Sequence, residues 1–107
     1  MSRFSEVVER LAAVIEARRG ANPKTSWSAR LIADPTLAAK KLAEESLEAA
    51  LAAVQRNKPA LAQESADLIY HWLTVLAGAG VTLDDVADAL EAREGRSGID
   101  EKASRKR

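Results

Sequence analysis

Five carboxylates fall in two short groups along this chain. Glu44, Glu45 and Glu48 come first; Glu64 and Asp67 follow after fifteen intervening residues, and His71 stands four places beyond Asp67. At about 100° of rotation per helical residue, the first group spans a sector of about 100°, and Glu64, Asp67 and His71 span about 60°. Each group therefore projects from a helix as one patch. Between them stands Arg56-Asn57-Lys58-Pro59. Pro59 cannot continue a helix from upstream but suits the first turn of a new one, so Lys40 to His71 reads as a helical hairpin. If the two patches face each other, four or five carboxylates converge on one small volume, where like charges repel unless a cation lies between them. Hard oxygen donors in that number suit Mg²⁺ or Mn²⁺. Turned outward, the same residues are a solvated acidic helix face, and spacing alone does not choose between the two.

The pattern Glu44-Glu45-x-x-Glu48, followed after a turn by Glu64-x-x-Asp67, is similar to the signature of the all-α, MazG-like nucleoside triphosphate pyrophosphohydrolases. Within that superfamily the chain resembles the phosphoribosyl-ATP pyrophosphatases, which act at the second step of histidine biosynthesis. Further segments carry the likeness: Ser26-Trp27-Ser28-Ala29-Arg30-Leu31, Lys41 ahead of the acidic pair, Ala66-Asp67-Leu68-Ile69-Tyr70-His71, and Gly80-Val81-Thr82-Leu83-Asp84-Asp85-Val86. The likeness covers roughly residues 7 to 95, most of the chain.

The resemblance implies an all-α bundle of four to five helices, completed by a second copy in a homodimer. It implies Mg²⁺-dependent cleavage of phosphoribosyl-ATP between its α- and β-phosphates, giving phosphoribosyl-AMP and pyrophosphate, with Mn²⁺ as a substitute ion. Glu45, Glu48, Glu64 and Asp67 become direct metal ligands, two from each helix. Glu44 becomes an auxiliary carboxylate that holds a water or acts as general base, so Glu44 and Glu45 form the catalytic pair. Arg30 and Lys41 are the candidates for phosphate contact, with ordinary surface charge as the alternative. Trp27 either stacks on the adenine or plugs a thin core, the plug being slightly favoured. His71 donates to the Asp67 carboxylate, to a phosphate or to a backbone carbonyl. A phosphoribosyl-AMP cyclohydrolase would act next in the pathway.

Three positions depart from the family pattern: Ala43 where Gly is usual, Ser46 where Ala is usual, and Leu37 where a second Lys is common. The missing positive charge at Leu37 keeps in view a related enzyme that hydrolyses canonical or damaged deoxynucleotides. A reading from another class is a catalytically silent helical dimerisation or regulatory module.

The remaining chain must position these groups. Hydrophobic residues make up 47% of it but aromatics only 4%, so the apolar content is largely Ala and Leu. That composition favours closely packed helices and leaves a single copy little large-side-chain area to bury. Sixteen basic and sixteen acidic residues cancel, which argues against a nucleic-acid binder held by phosphate neutralisation. Cysteine is absent, which excludes a thiolate nucleophile and a Cys-based zinc site. The apolar runs are short, so neither a signal peptide nor a membrane span is expected, and a cytoplasmic protein is the default.

Phe4, Val7, Val8, Leu11, Val14 and Ile15 recur at helical spacing and predict a first helix from Ser5 to Arg19, stopped by Gly20. Ser26 is expected to cap a short helix over residues 27–33, and Pro35 or Thr36 to open the long helix carrying the first acidic group. On that helix Leu42, Ala43, Leu47, Ala50 and Val54 leave it apolar on most sides, which predicts burial on most sides. The second acidic helix is expected from Pro59 to Ala77, with Gly78 and Gly80 ending it, and with Glu64, Asp67, Tyr70, His71 and Thr74 on its polar side. Thr82 with Asp85 predicts a capping box for a last helix reaching Arg93. Arg93 and Arg96 read as helix-end charges, with contact to the substrate from the last turn as the alternative. Residues 1–95 form the expected domain, and 96–107 a polar, loosely held tail.

Overall fold

A computed structural model describes residues 2–95 and residue 98. The chain folds into α1 (Arg3–Ala17), α2 (Trp27–Ala33), α3 (Pro35–Val54), α4 (Lys58–Ala79) and α5 (Leu83–Glu91). No strand occurs among the described residues, in keeping with the expected all-α class. The tail expected over residues 96–107, and Arg96 with it, lies outside the described residues, residue 98 apart.

Each helix begins on a residue whose side-chain oxygen accepts from a backbone N–H of the first turn: Ser2, Ser26, Asp34, Asn57 and Thr82. These caps satisfy donors that a helix start would otherwise leave unpaired. They also correct the expected limits. With Ser2 as its cap, α1 starts at Arg3, two residues before Ser5, and it ends at Ala17, ahead of Arg19. The Thr82–Asp85 capping box is present, but α5 closes at Glu91 and not at Arg93. Pro35 opens α3 and Pro59 sits in the first turn of α4, where a missing N–H costs nothing. The reversal between them uses Arg56 at φ 55, and Asn57 N–H donates back to the Ala52 carbonyl at 3.1 Å.

Gly78 does not end α4. The helix runs through it to Ala79, and Gly80 caps it in the left-handed region at φ 73. A Cβ at Gly78 would lie 3.2 Å from the Ile32 carbonyl oxygen, so the glycine serves the close approach of α2 to α4.

The core gathers on α4. Ile15 of α1, Ile32 of α2 and Leu73 of α4 form its buried centre, with Val8, Leu11, Ile69 and Trp72 packed around them. Arg19, paired with Glu16, also donates from Nη2 to the Ala77 carbonyl at 2.7 Å, fastening the chain after α1 to the end of α4.

The most extensive helix pairing is α3 with α4. Ala38, Ala49 and Ala52 are the buried residues of α3, and their small side chains let the two backbones come close. The other side of α3 corrects the expectation of burial: Leu47 is 61% exposed and Val54 80%, with Leu51 beside them at 50%. Among the described residues, α2 and α4 are the helices with substantial packing against α3, and this stripe faces away from both. Among the described residues no single helix is long and apolar enough to cross a membrane.

Candidate metal and active site

The hairpin brings the two acidic groups together. Glu45 and Glu48 of α3 and Glu64 of α4 each offer a carboxylate oxygen, and the three atoms lie within 4.8 Å of one another. Glu45 and Glu64 are partly buried and Glu48 is exposed. The wheel explains the convergence. Glu45 points in nearly the same direction as buried Ala49 and Ala52, about 40° from one and about 20° from the other, so it stands on the α3–α4 seam. Glu48 lies one turn along from Glu45, and Glu64 meets both from across the seam.

The electrostatics carry the mark of crowding. The Glu45 carboxyl is pushed above the usual glutamate range, first by desolvation and then by the charges of Glu48 and Asp67, with Glu64 adding to them and His71 working the other way. Glu64 is raised by desolvation, Glu48 and Asp67. These are carboxylates held closer than water alone favours. Three hard oxygen donors from two rigid helices, with that repulsion unrelieved, fit a small divalent cation.

The other predicted residues take varied positions. Asp67 is exposed and lies outside the 4.8 Å trio, although its charge reaches Glu45 and Glu64. Glu44 also lies outside it and pairs with Lys41, Nζ to Oε1 at 3.2 Å. Arg30 is exposed, its guanidinium carbon 5.7 Å from the Trp27 ring centroid. Trp27 is 42% exposed, so the plug gives way to a surface stack with Arg30.

His71 and Thr74 correct the expected polar face of α4, because both are buried. Their polarity is met within the helix: Thr74 Oγ1 donates to the His71 carbonyl at 2.7 Å, and His71 Nδ1 lies 2.8 Å from the Asp67 carbonyl. A carbonyl only accepts, so Nδ1 carries the proton. Of the three partners expected for His71 the structure shows the backbone carbonyl, and among the described residues buried Nε2 has no partner.

Sequence reasoning passed over one contact. Ser28 Oγ and Tyr70 Oη are 2.6 Å apart, joining α2 to α4, and the Tyr70 ring meets His71 edge-on at 5.0 Å. Both residues sit in segments already singled out, Ser26–Leu31 and Ala66–His71. Tyr70 is the one hydroxyl in its segment, and of the two serines flanking Trp27, Ser26 is taken up as the cap of α2, which leaves Ser28.

The chain matches the family model described as phosphoribosyl-ATP pyrophosphohydrolase over residues 8–94. The chain belongs to that family. It is 60% identical over 103 residues to a phosphoribosyl-ATP pyrophosphatase of Caulobacter vibrioides, covering 96% of each chain. It is 58% identical over 105 residues to one from a Caulobacter species, strain K31, covering 98% of each. A third, from Cereibacter sphaeroides, is 53% identical over 100 residues, covering 92% of this chain and 97% of the relative. The match runs through α2, α3 and α4, so the three converging glutamates lie within the family's own span.

Proposed function

We propose that this chain hydrolyses phosphoribosyl-ATP to phosphoribosyl-AMP and pyrophosphate with the help of Mg²⁺, the second step of histidine biosynthesis. The observation that carries the reading is the convergence of Glu45, Glu48 and Glu64 within 4.8 Å across the hairpin, in a chain whose relatives bear the name phosphoribosyl-ATP pyrophosphatase. Those three would hold the ion, with Asp67 as the fourth ligand; Mn²⁺ has the same preference for oxygen and would substitute. When bound, such an ion neutralises phosphate oxygens and makes neighbouring water more acidic.

This chain's own residues do the rest. Water adds across the anhydride between the α- and β-phosphates, and Glu44, outside the trio, orients that water or takes its proton. Lys41 and Arg30 hold phosphate oxygens, and the Trp27–Arg30 stack offers a flat surface for the adenine. His71, through its bond to the Asp67 carbonyl, steadies the backbone that carries Asp67. We place the enzyme in a homodimer whose second copy covers Leu47, Leu51 and Val54, since burying those side chains removes apolar area from water. The product would pass to a cyclohydrolase.

The test is specific to the bond broken. Purified protein, phosphoribosyl-ATP and Mg²⁺ are expected to give pyrophosphate, and EDTA is expected to stop the reaction. Release of orthophosphate, or turnover untouched by EDTA, overturns the reading. Leu37 in place of a lysine supports a second reading, a related pyrophosphohydrolase of deoxynucleotides. Comparing kcat/KM for phosphoribosyl-ATP with a deoxynucleotide panel separates the two.

A further inference from the structure

Lys41 lies on the same side of α3 as the carboxylate trio. In direction it falls between Glu45 and Glu48, about 40° from the first and about 20° from the second. Helical side chains lean toward the N-terminus, so Glu45, four residues on, leans back toward Lys41. Yet the ammonium pairs with Glu44, at 3.2 Å, and Glu44 is the carboxylate of the first group that stays outside the trio.

The pair is built to exchange. Both side chains are partly exposed, 32% for Lys41 and 44% for Glu44, and such ion pairs are weak. Lysine precedes glutamate, the less favourable order along a helix. An incoming polyphosphate carries several negative charges and outbids one carboxylate for the ammonium.

We propose that Lys41 is a positioning residue that holds Glu44 away from the cation site until a substrate phosphate takes over the ammonium and releases Glu44 toward the reacting water. The latch rests on the proposed cation-dependent reaction, and it ties the auxiliary carboxylate to the arrival of substrate. Without phosphate, Lys41 restrains Glu44; with phosphate bound, the same lysine grips the substrate and the carboxylate is free to turn toward the trio.

The test reads Mn²⁺ binding to the intact protein without substrate, by electron paramagnetic resonance or calorimetry, in wild type, Lys41→Met, Glu44→Gln and the double variant. Lys41→Met is expected to tighten Mn²⁺ binding about threefold to fivefold, because Glu44 is then free to join the site. In the Glu44→Gln background the same change is expected to have no effect. Equal tightening in both backgrounds means that Lys41 acts only as a nearby positive charge and overturns the latch, as does no tightening in either. Absence of Mn²⁺ binding in every protein overturns the cation site itself, and the latch with it. With phosphoribosyl-ATP, Lys41→Met is expected to raise KM far more than it lowers kcat, because Glu44 is released in either case once substrate is bound, whereas Lys41→Arg keeps most of both; a fall in kcat with KM unchanged counts against the latch.

Discussion

Glu45 on α3 and Glu64 on α4 offer carboxylate oxygens within 4.8 Å of each other, with Glu48 completing the trio. The turn through Arg56 and Asn57 makes this meeting possible by folding α4 back along α3. Replacing Glu48 or Glu64 by Gln keeps the shape and removes a charged donor. Pyrophosphate release is expected to fall by about a thousandfold or more, the loss of several kcal/mol of charge stabilisation. Circular dichroism should show undiminished helix. A variant that stays folded and keeps wild-type turnover counts against the site.

The same crowding fixes how stability depends on pH. Glu45 and Glu64 titrate higher in the folded chain than in the unfolded one, so between the two values the folded state binds more protons. Metal-free protein is therefore expected to gain stability as pH falls through that window, just above the ordinary glutamate value, and to lose it as pH rises through the folded values. Saturating Mn²⁺ requires ionised ligands and reverses the sign. Melting temperatures measured from about pH 7 to about pH 4, with and without Mn²⁺, check both slopes. Glu48→Gln removes one repelling charge and should flatten the metal-free slope.

Much of this arrangement was legible in the residues. Pro35, Pro59, Ser26 and the Thr82–Asp85 pair mark helix starts through local chemistry that tertiary contacts do not override, and the spacing of the acids put each group on one face. The residues that misled did so for long-range reasons. Gly78 resembles a helix stop until the Ile32 carbonyl is seen 3.2 Å from where its Cβ would be. His71 and Thr74 look like surface residues because their hydrogen-bond partners are carbonyls of their own helix, which every residue type supplies. The wheel gave the direction of Glu44 but not its choice of Lys41, since a flexible side chain one turn away had several acids within reach.

The Ser28–Tyr70 hydrogen bond joins α2 to α4 beside His71. Tyr70→Phe keeps the ring and leaves the Ser28 hydroxyl without its partner, at an expected cost of about 1 kcal/mol. Ser28→Ala should cost a similar amount, and the double variant little more than either, because one interaction is removed twice. Urea unfolding of the four proteins measures it. Additive losses would mean that the two hydroxyls act separately.

Two glycines near the end of α4 should respond to alanine for different reasons. At Gly80, φ 73 is left-handed and the space around a Cβ is open, so Gly80→Ala is expected to cost about 1 kcal/mol through backbone strain alone. At Gly78 the backbone is helical, and alanine would ordinarily stabilise by about 1 kcal/mol. Here its methyl meets the Ile32 carbonyl oxygen at 3.2 Å, a backbone atom fixed by α2, so a net loss is expected. Chemical denaturation gives both values, and stabilisation by Gly78→Ala would show that α2 is free to move off α4.

Leu47, Leu51 and Val54 stand 61%, 50% and 80% exposed on one side of α3. Three large apolar side chains in a row on a helix that also carries the acidic site are costly to leave in water. Leu51→Glu puts a charge in the middle of the stripe without touching the α3–α4 seam, where Ala49 and Ala52 make the contact. If a second copy covers this face, the wild type should sediment as a dimer and Leu51→Glu as a folded monomer. Glu44 and Glu48 adjoin the stripe on the wheel, about 20° and about 60° from Leu51, so loss of the dimer should lower turnover as well. A wild-type chain that sediments as a monomer at all concentrations removes the homodimer from the proposal.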